Sequence, residues 1–283
     1  MNFKNWLLNE SKAITLPPEV LSFIDQITPE ITKLMLDSKE NPTGCSEIRE
    51  LKKKWDIKVP IQSKYYDKFD YEISGVKYRK TESYFPVTVV LDCNFDKRLG
   101  HFDISNNEIK VNSLFWGKQK DGSTKHEISI HSVKGLLIHE FIHAVDIKIH
   151  DKEIRKSRLK KYGNAIDAPD KSIDKETNNM YMSNPTEIDA TTGTITQRII
   201  SYANESNDRK KTYQDLEKII DFIKSTEKYR NTNIVLHPLV PRDVENIYKY
   251  MDIGDETIKR RVLSRIYDAV MQAKTIIQQK QRI

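Results

Sequence analysis

Residues 132–149 read SVKGLLIHEFIHAVDIKI, and the rest of the chain is read around them. Inside this stretch His139-Glu140-Phe141-Ile142-His143 is an H-E-x-x-H motif, set among Leu136, Leu137, Ile138, Ala144 and Val145. The spacing predicts a buried helix over 132–149. Residues four apart share a helix face, so His139 and His143 can aim two imidazoles at one cation. Glu140 lies about 100° round the helix from His139, close enough to reach a metal-bound water. Two core histidines satisfied by hydrogen bonds are the bland alternative. Against it, an unpaired His or Glu on so apolar a stretch is costly. Ser129 or Ser132 can cap the start of the helix.

Two histidines do not hold zinc, because a catalytic site uses three protein ligands and keeps one position open. Asp146 shares their face but lies about 10 Å along the axis from His139, which suits it to a hydrogen bond around the site rather than to the ion. His150 follows with no glycine to turn the chain back. The best third ligand is Glu187, in Asn184-Pro185-Thr186-Glu187-Ile188-Asp189-Ala190. A competing account exists. Asn184 is a good N-cap, Pro185 a good first residue, and Glu187 stands where a capping box puts its acid. Yet Glu187, Ala190 and Thr191 share one side, away from the apolar stripe of Ile188, Ile195 and Ile199, and a small residue at 190 lets another helix come close. Asp189 points about 200° away from Glu187 and is the reserve ligand. His126 and His131 precede the helix and are expected to face solvent.

The flanking sequence predicts an α+β chain. Residues 1–58 read as an N-terminal helical segment and 59–283 as the main domain. Pro17-Pro18 opens a helix, Thr28-Pro29 restarts it as N-cap and first residue, and a charged helix follows over roughly 46–56. From 60 to 116 the period changes to two. Residues 71–78 read as a hairpin, Val87 to Leu91 as a central strand, and 102–111, with Asn106-Asn107 at the turn, as a second hairpin. Residues 150–183 are polar and Lys-rich, a long connection of the kind that forms lids or binding loops. From 185 to 283 the reading is helical: 185–203, 210–225, 242–251 after Val240-Pro241, and a last helix capped by Asp255.

At 283 residues the chain can bury a sizeable core. Its net charge of +6 comes from cations interspersed with acids, which suits a solvated surface better than nucleic-acid binding. Its two cysteines, Cys45 and Cys93, make no C-x-x-C, so neither a disulfide framework nor a thiolate zinc site is expected. The N-terminal apolar run is too short for a signal peptide and no stretch is apolar enough to span a bilayer, so a cytoplasmic protein with no membrane partner is expected. Phe3, Trp6, Leu7 and Leu8 form an amphipathic arm that packs on its own domain or docks on a protein partner.

HEFIHAVD followed downstream by NPTEIDA resembles the zincin metallopeptidases, and more narrowly the gluzincin type, in which a second helix supplies a glutamate to the HExxH zinc. The resemblance covers 132–200. It implies a mixed sheet packed on the HExxH helix, an edge strand that pairs with extended substrate, and a mostly helical C-terminal part. The metzincin pattern is not met, since Asp146 stands where its glycine would be and Ile149 where its third histidine would be. The opening MNFKNWLLNE resembles tailed-phage proteins of unknown function, which implies a virion-associated setting. The expected activity is hydrolysis of a peptide or protein substrate with one zinc per chain. His139, His143 and Glu187 are the ligands and Glu140 the general base. The hairpin at 102–111 is the expected source of the edge strand. Tyr181 is the expected oxyanion donor, with Tyr202 and His237 as alternatives. Two other classes remain: a non-enzymatic assembly protein with zinc as a structural staple or a decayed site, and a basic nucleic-acid-binding protein. Neither explains an acid between two ligands on a buried helix.

Overall fold

The computed structural model describes residues 16–40, 53–61, 72–73, 76–77, 83–92, 99–103, 105–112, 128–149, 182–230, 232 and 234–280. These fall into two compact units, one within 16–161 and one within 162–283. The architecture is α+β, with a small mixed sheet in the first unit and helices alone in the second. No helix among the described residues is long and apolar enough to cross a membrane.

In the first unit, α1 (Pro18–Glu40) precedes β1 (Lys53–Ile61), the short pair β2 (Glu72–Ile73) and β3 (Val76–Lys77), then β4 (Ser83–Asp92), β5 (Gly100–Asp103), β6 (Glu108–Asn112) and α2 (Ile130–Ile149). The main sheet runs β1-β4-β6-β5, with β4 and β6 parallel and the outer pairs antiparallel. Alternation along β4 buries Phe85, Val87, Val89 and Leu91. Val89 lies beside Trp55 on one side and Ile109 on the other, and Leu91 beside Val111. Each such buried side chain contributes about 1.5–3 kcal/mol. β2 and β3 form the hairpin expected over 71–78.

The helices α1 and α2 pack on each other, through Phe23 edge-on to Phe141 among other contacts, and both reach the sheet. Lys134 of α2 pairs with Asp25 of α1 at 2.6 Å, and Trp55 Nε1 of β1 donates to Glu30 of α1 at 2.8 Å. Gly100 sets how near β5 comes to the motif helix. A Cβ there would stand 2.8 Å from the Lys110 carbonyl oxygen and 3.0 Å from Leu136 Cδ2.

Two sequence expectations change here. Residues 53–56, assigned to a charged helix, belong to β1. Their charges alternate with Trp55, Ile57 and Val59, and pairing along the whole of β4 decides the conformation. The break expected at Thr28-Pro29 does not occur, because α1 runs through it. Thr28 is buried and donates to the Ile24 carbonyl at 2.6 Å, so it acts inside the helix rather than as a cap. Val20, Ile24, Ile27, Ile31 and Met35 are buried on both sides of the proline, and that continuous stripe outweighs its lost hydrogen bond.

The β5–β6 hairpin turns through Asn107 at φ 53°, a left-handed position that asparagine tolerates. Its ion pair yields a first prediction. Lys110 Nζ donates to Asp103 at 2.8 Å and, outweighing desolvation and aided by Asn106, holds the carboxyl down at about 2. A depressed folded-state pKa adds stability above the unfolded value of 3.8, and that stability is lost as pH falls through about 2. Asp103→Asn should therefore flatten the fall of urea stability between pH 4 and pH 2. An unchanged slope would remove Asp103 from the acid response.

The second unit contains α3 (Pro185–Glu205), α4 (Arg209–Lys224), the single turn α5 (Thr226–Tyr229), α6 (Pro241–Asp252) and α7 (Glu256–Gln279). The helix starts match their sequence signals. Asn184 accepts from Thr186 N, Asp208 from Lys211 N, and Asp255 from Thr257 N and Ile258 N. Asp243 accepts from Val240 N at 3.1 Å. At the far end of α3, Lys280 Nζ donates to the carbonyls of Ala203 and Asn204, which have no partner inside the helix. α3 packs along α7, and α4 and α6 close on the same core. Ile195, Ile199, Leu216, Ile219, Ile266, Ala269 and Ala273 are all buried there, at the helical spacings read from the sequence.

Candidate metal centre

The motif helix α2 starts at its cap. Ser129 Oγ accepts from Ser132 N at 3.2 Å, and the Ser129 carbonyl takes the bond from Val133 N. The helix thus begins at Ile130, slightly earlier than the sequence reading placed it. Val133, Leu136, Leu137, Ile138, Phe141, Ile142, Ala144 and Val145 are all buried. That apolar surround fixes which way the remaining face points, and His139 and His143 occupy it. Their Nε2 atoms lie 3.1 Å apart, with the rings at 84° and centroids 4.7 Å apart.

Glu140, between them, is only 5% exposed.

Glu187 lies in the first turn of α3 and is 7% exposed. The Asn184 cap and Pro185 establish that turn, as read from the sequence. His139 and His143 belong to the unit within 16–161 and Glu187 to the unit within 162–283, and these three are the donors the sequence offers to one metal ion. The donors suit zinc. Two nitrogens each about 2.0–2.1 Å from one tetrahedral zinc stand about 3.3 Å apart, close to the 3.1 Å between the imidazoles. Two imidazoles and a carboxylate also leave a fourth position free.

Several other candidates are settled by their partners. Asp189, the reserve ligand, is buried and paired with Arg265 and with Arg261 Nη2 at 2.8 Å, which gives it a structural occupation. Tyr202 donates to Asp215 at 2.7 Å, and burial together with that carboxylate pushes its hydroxyl up to about 12. It joins α3 to α4 and is engaged there. His131 is exposed, as expected. The Asp146 backbone belongs to α2, while its side chain lies outside the described residues, as do Tyr181, His126, His150 and the arm at 3–8.

The sequence reading missed Tyr250 of α6. Its hydroxyl donates to the Glu187 carbonyl oxygen at 3.3 Å and lies 3.2 Å from Thr191 Oγ1, whose own hydroxyl can donate back. It is fully buried, and burial raises its pKa. Ile247 and Tyr250 are three apart, a spacing that marks both as inward-facing, but spacing cannot say which carbonyl a tyrosine will meet. No family model, curated protein or solved structure gives a significant match to this chain.

Proposed function

We propose that the protein is a zinc-dependent peptidase of the zincin type, of gluzincin arrangement, in which His139, His143 and Glu187 hold the ion and Glu140 is the general base. The observation that carries this reading is the buried Glu140 on the same helix as two converging imidazoles. Zinc, when bound, supplies a Lewis acid for the scissile carbonyl and brings the pKa of water towards neutrality. Glu140 accepts the proton of the attacking water on a carboxylate oxygen and returns it to the departing amine nitrogen.

One further observation supports the reading. β5, in the hairpin expected to offer an edge for substrate, is the last strand in the sheet order, and an extended peptide can add to such an edge.

The test is elemental analysis of the full chain beside His143→Ala and Glu187→Ala. About one zinc per chain is expected in the wild type, with loss in His143→Ala and weakened retention in Glu187→Ala. Absence of zinc after reconstitution at neutral pH would end the reading. Retention of zinc by Glu187→Ala at the wild-type level would move the third ligand elsewhere.

A further inference from the structure

We propose that Tyr250 is a positioning residue for the metal ligand Glu187: its buried hydroxyl fixes the first turn of α3, from which the Glu187 carboxylate reaches the ion. This rests on the metal-site reading above.

The first turn of a helix is ordinarily its loosest part, because its N–H groups lack intrahelical partners and its ends fray. A ligand placed there binds with an affinity that depends on how far the turn is held in advance. In α3 that turn and the one after it are held from three directions. Asn184 caps it by accepting from Thr186 N at 3.1 Å. Asp189 and Thr192 are gripped by Arg265 of α7, with Thr192 Oγ1 at 3.0 Å from Nη1. Tyr250 bonds the carbonyl of Glu187 itself.

The third contact differs from the others in touching the ligand residue directly. It is also the one that packing does not require. Phenylalanine would fill the same core volume, and burying a phenol hydroxyl is costly unless it is bonded. Both of its hydrogen-bond partners, the Glu187 carbonyl and Thr191 Oγ1, lie one helical turn apart on α3. The hydroxyl therefore serves that turn and nothing else among the described residues.

The experiment measures zinc affinity of the full chain by competition with a chromophoric chelator, at a temperature where every variant is folded by circular dichroism. Tyr250→Phe removes the hydroxyl and keeps the ring. Thr212→Val is the control. It removes another buried hydroxyl, which donates to the Asp208 carbonyl at 2.7 Å in the connection beyond the other end of α3. Tyr250→Phe should weaken zinc binding about tenfold, as loss of a group that orients a ligand does. Thr212→Val should lower the melting temperature but keep wild-type affinity.

Wild-type affinity in Tyr250→Phe, with Glu187→Ala weakened, overturns the positioning role and leaves the site standing. Equal weakening in Thr212→Val also overturns it, since general loosening would then account for the effect. No zinc in the wild type overturns both the positioning role and the metal site on which it rests, and wild-type affinity in Glu187→Ala overturns the positioning role by moving the third ligand elsewhere.

Discussion

Glu140→Gln should keep about one zinc per chain and lose peptide hydrolysis by about 10²–10⁴-fold, the range a general base contributes. The amide is nearly isosteric with the carboxylate and cannot take a proton from water. His139, His143 and Glu187 are untouched, so metal content separates loss of the base from loss of the site. Hydrolysis at the wild-type rate by Glu140→Gln would strip Glu140 of its role. Loss of zinc along with activity would make Glu140 part of the metal's own environment instead. A protein library digested by wild type and variant side by side, read by mass spectrometry, supplies the activity arm before any specific substrate is known.

The largest effect on stability is expected at Arg265. Its side chain is 2% exposed, and it pairs with the buried Asp189 while also meeting Thr192. Removing one partner of a buried ion pair costs about 3–5 kcal/mol, because the other charge is left in low dielectric. Arg265→Met should fall near the lower end, about 3 kcal/mol, because the half-buried Arg261 still reaches Asp189 at 2.8 Å. The paired change Asp189→Leu with Arg265→Met should recover most of that loss, since well-packed apolar groups often replace a buried ion pair without penalty. Urea unfolding of the full chain measures both. A single variant within about 0.5 kcal/mol of wild type, as for an ordinary surface change, would show that the pair is not the anchor of α3 on α7 that its burial implies.

Much of the local structure was legible because it depends on short-range repetition. The apolar stripe of Ile188, Ile195 and Ile199 and the cap residues Asn184 and Asp255 reappear where the sequence put them. So does the β-branched run Val87 to Leu91, now an interior strand. What was misread depended on a distant partner. β1 was assigned in part to a helix because its charges conceal a short alternation, and β4 is what makes it a strand. Pro29 was read as a break because a local rule says so, whereas burial along the whole length of α1 keeps the helix continuous. Asp189 was held as a spare ligand because a carboxylate near Glu187 looks like one until Arg261 and Arg265 are seen to occupy it.

The sequence by itself determined the motif helix, the pairing of His139 with His143 on one face, and the presence of an acid between them. Those follow from 3.6 residues per turn and need no other part of the chain. It also singled out Glu187 as a candidate ligand, by residue type and by the helix side it shares with Ala190 and Thr191. Which groups hold Glu187 in place was decided only by the tertiary structure. Tyr250 lies 63 positions from Glu187, and Arg265 lies 76 from Asp189. At such separations no periodicity relates two residues. Only the packing of α6 and α7 against α3 brings a phenol and a guanidinium to that one turn.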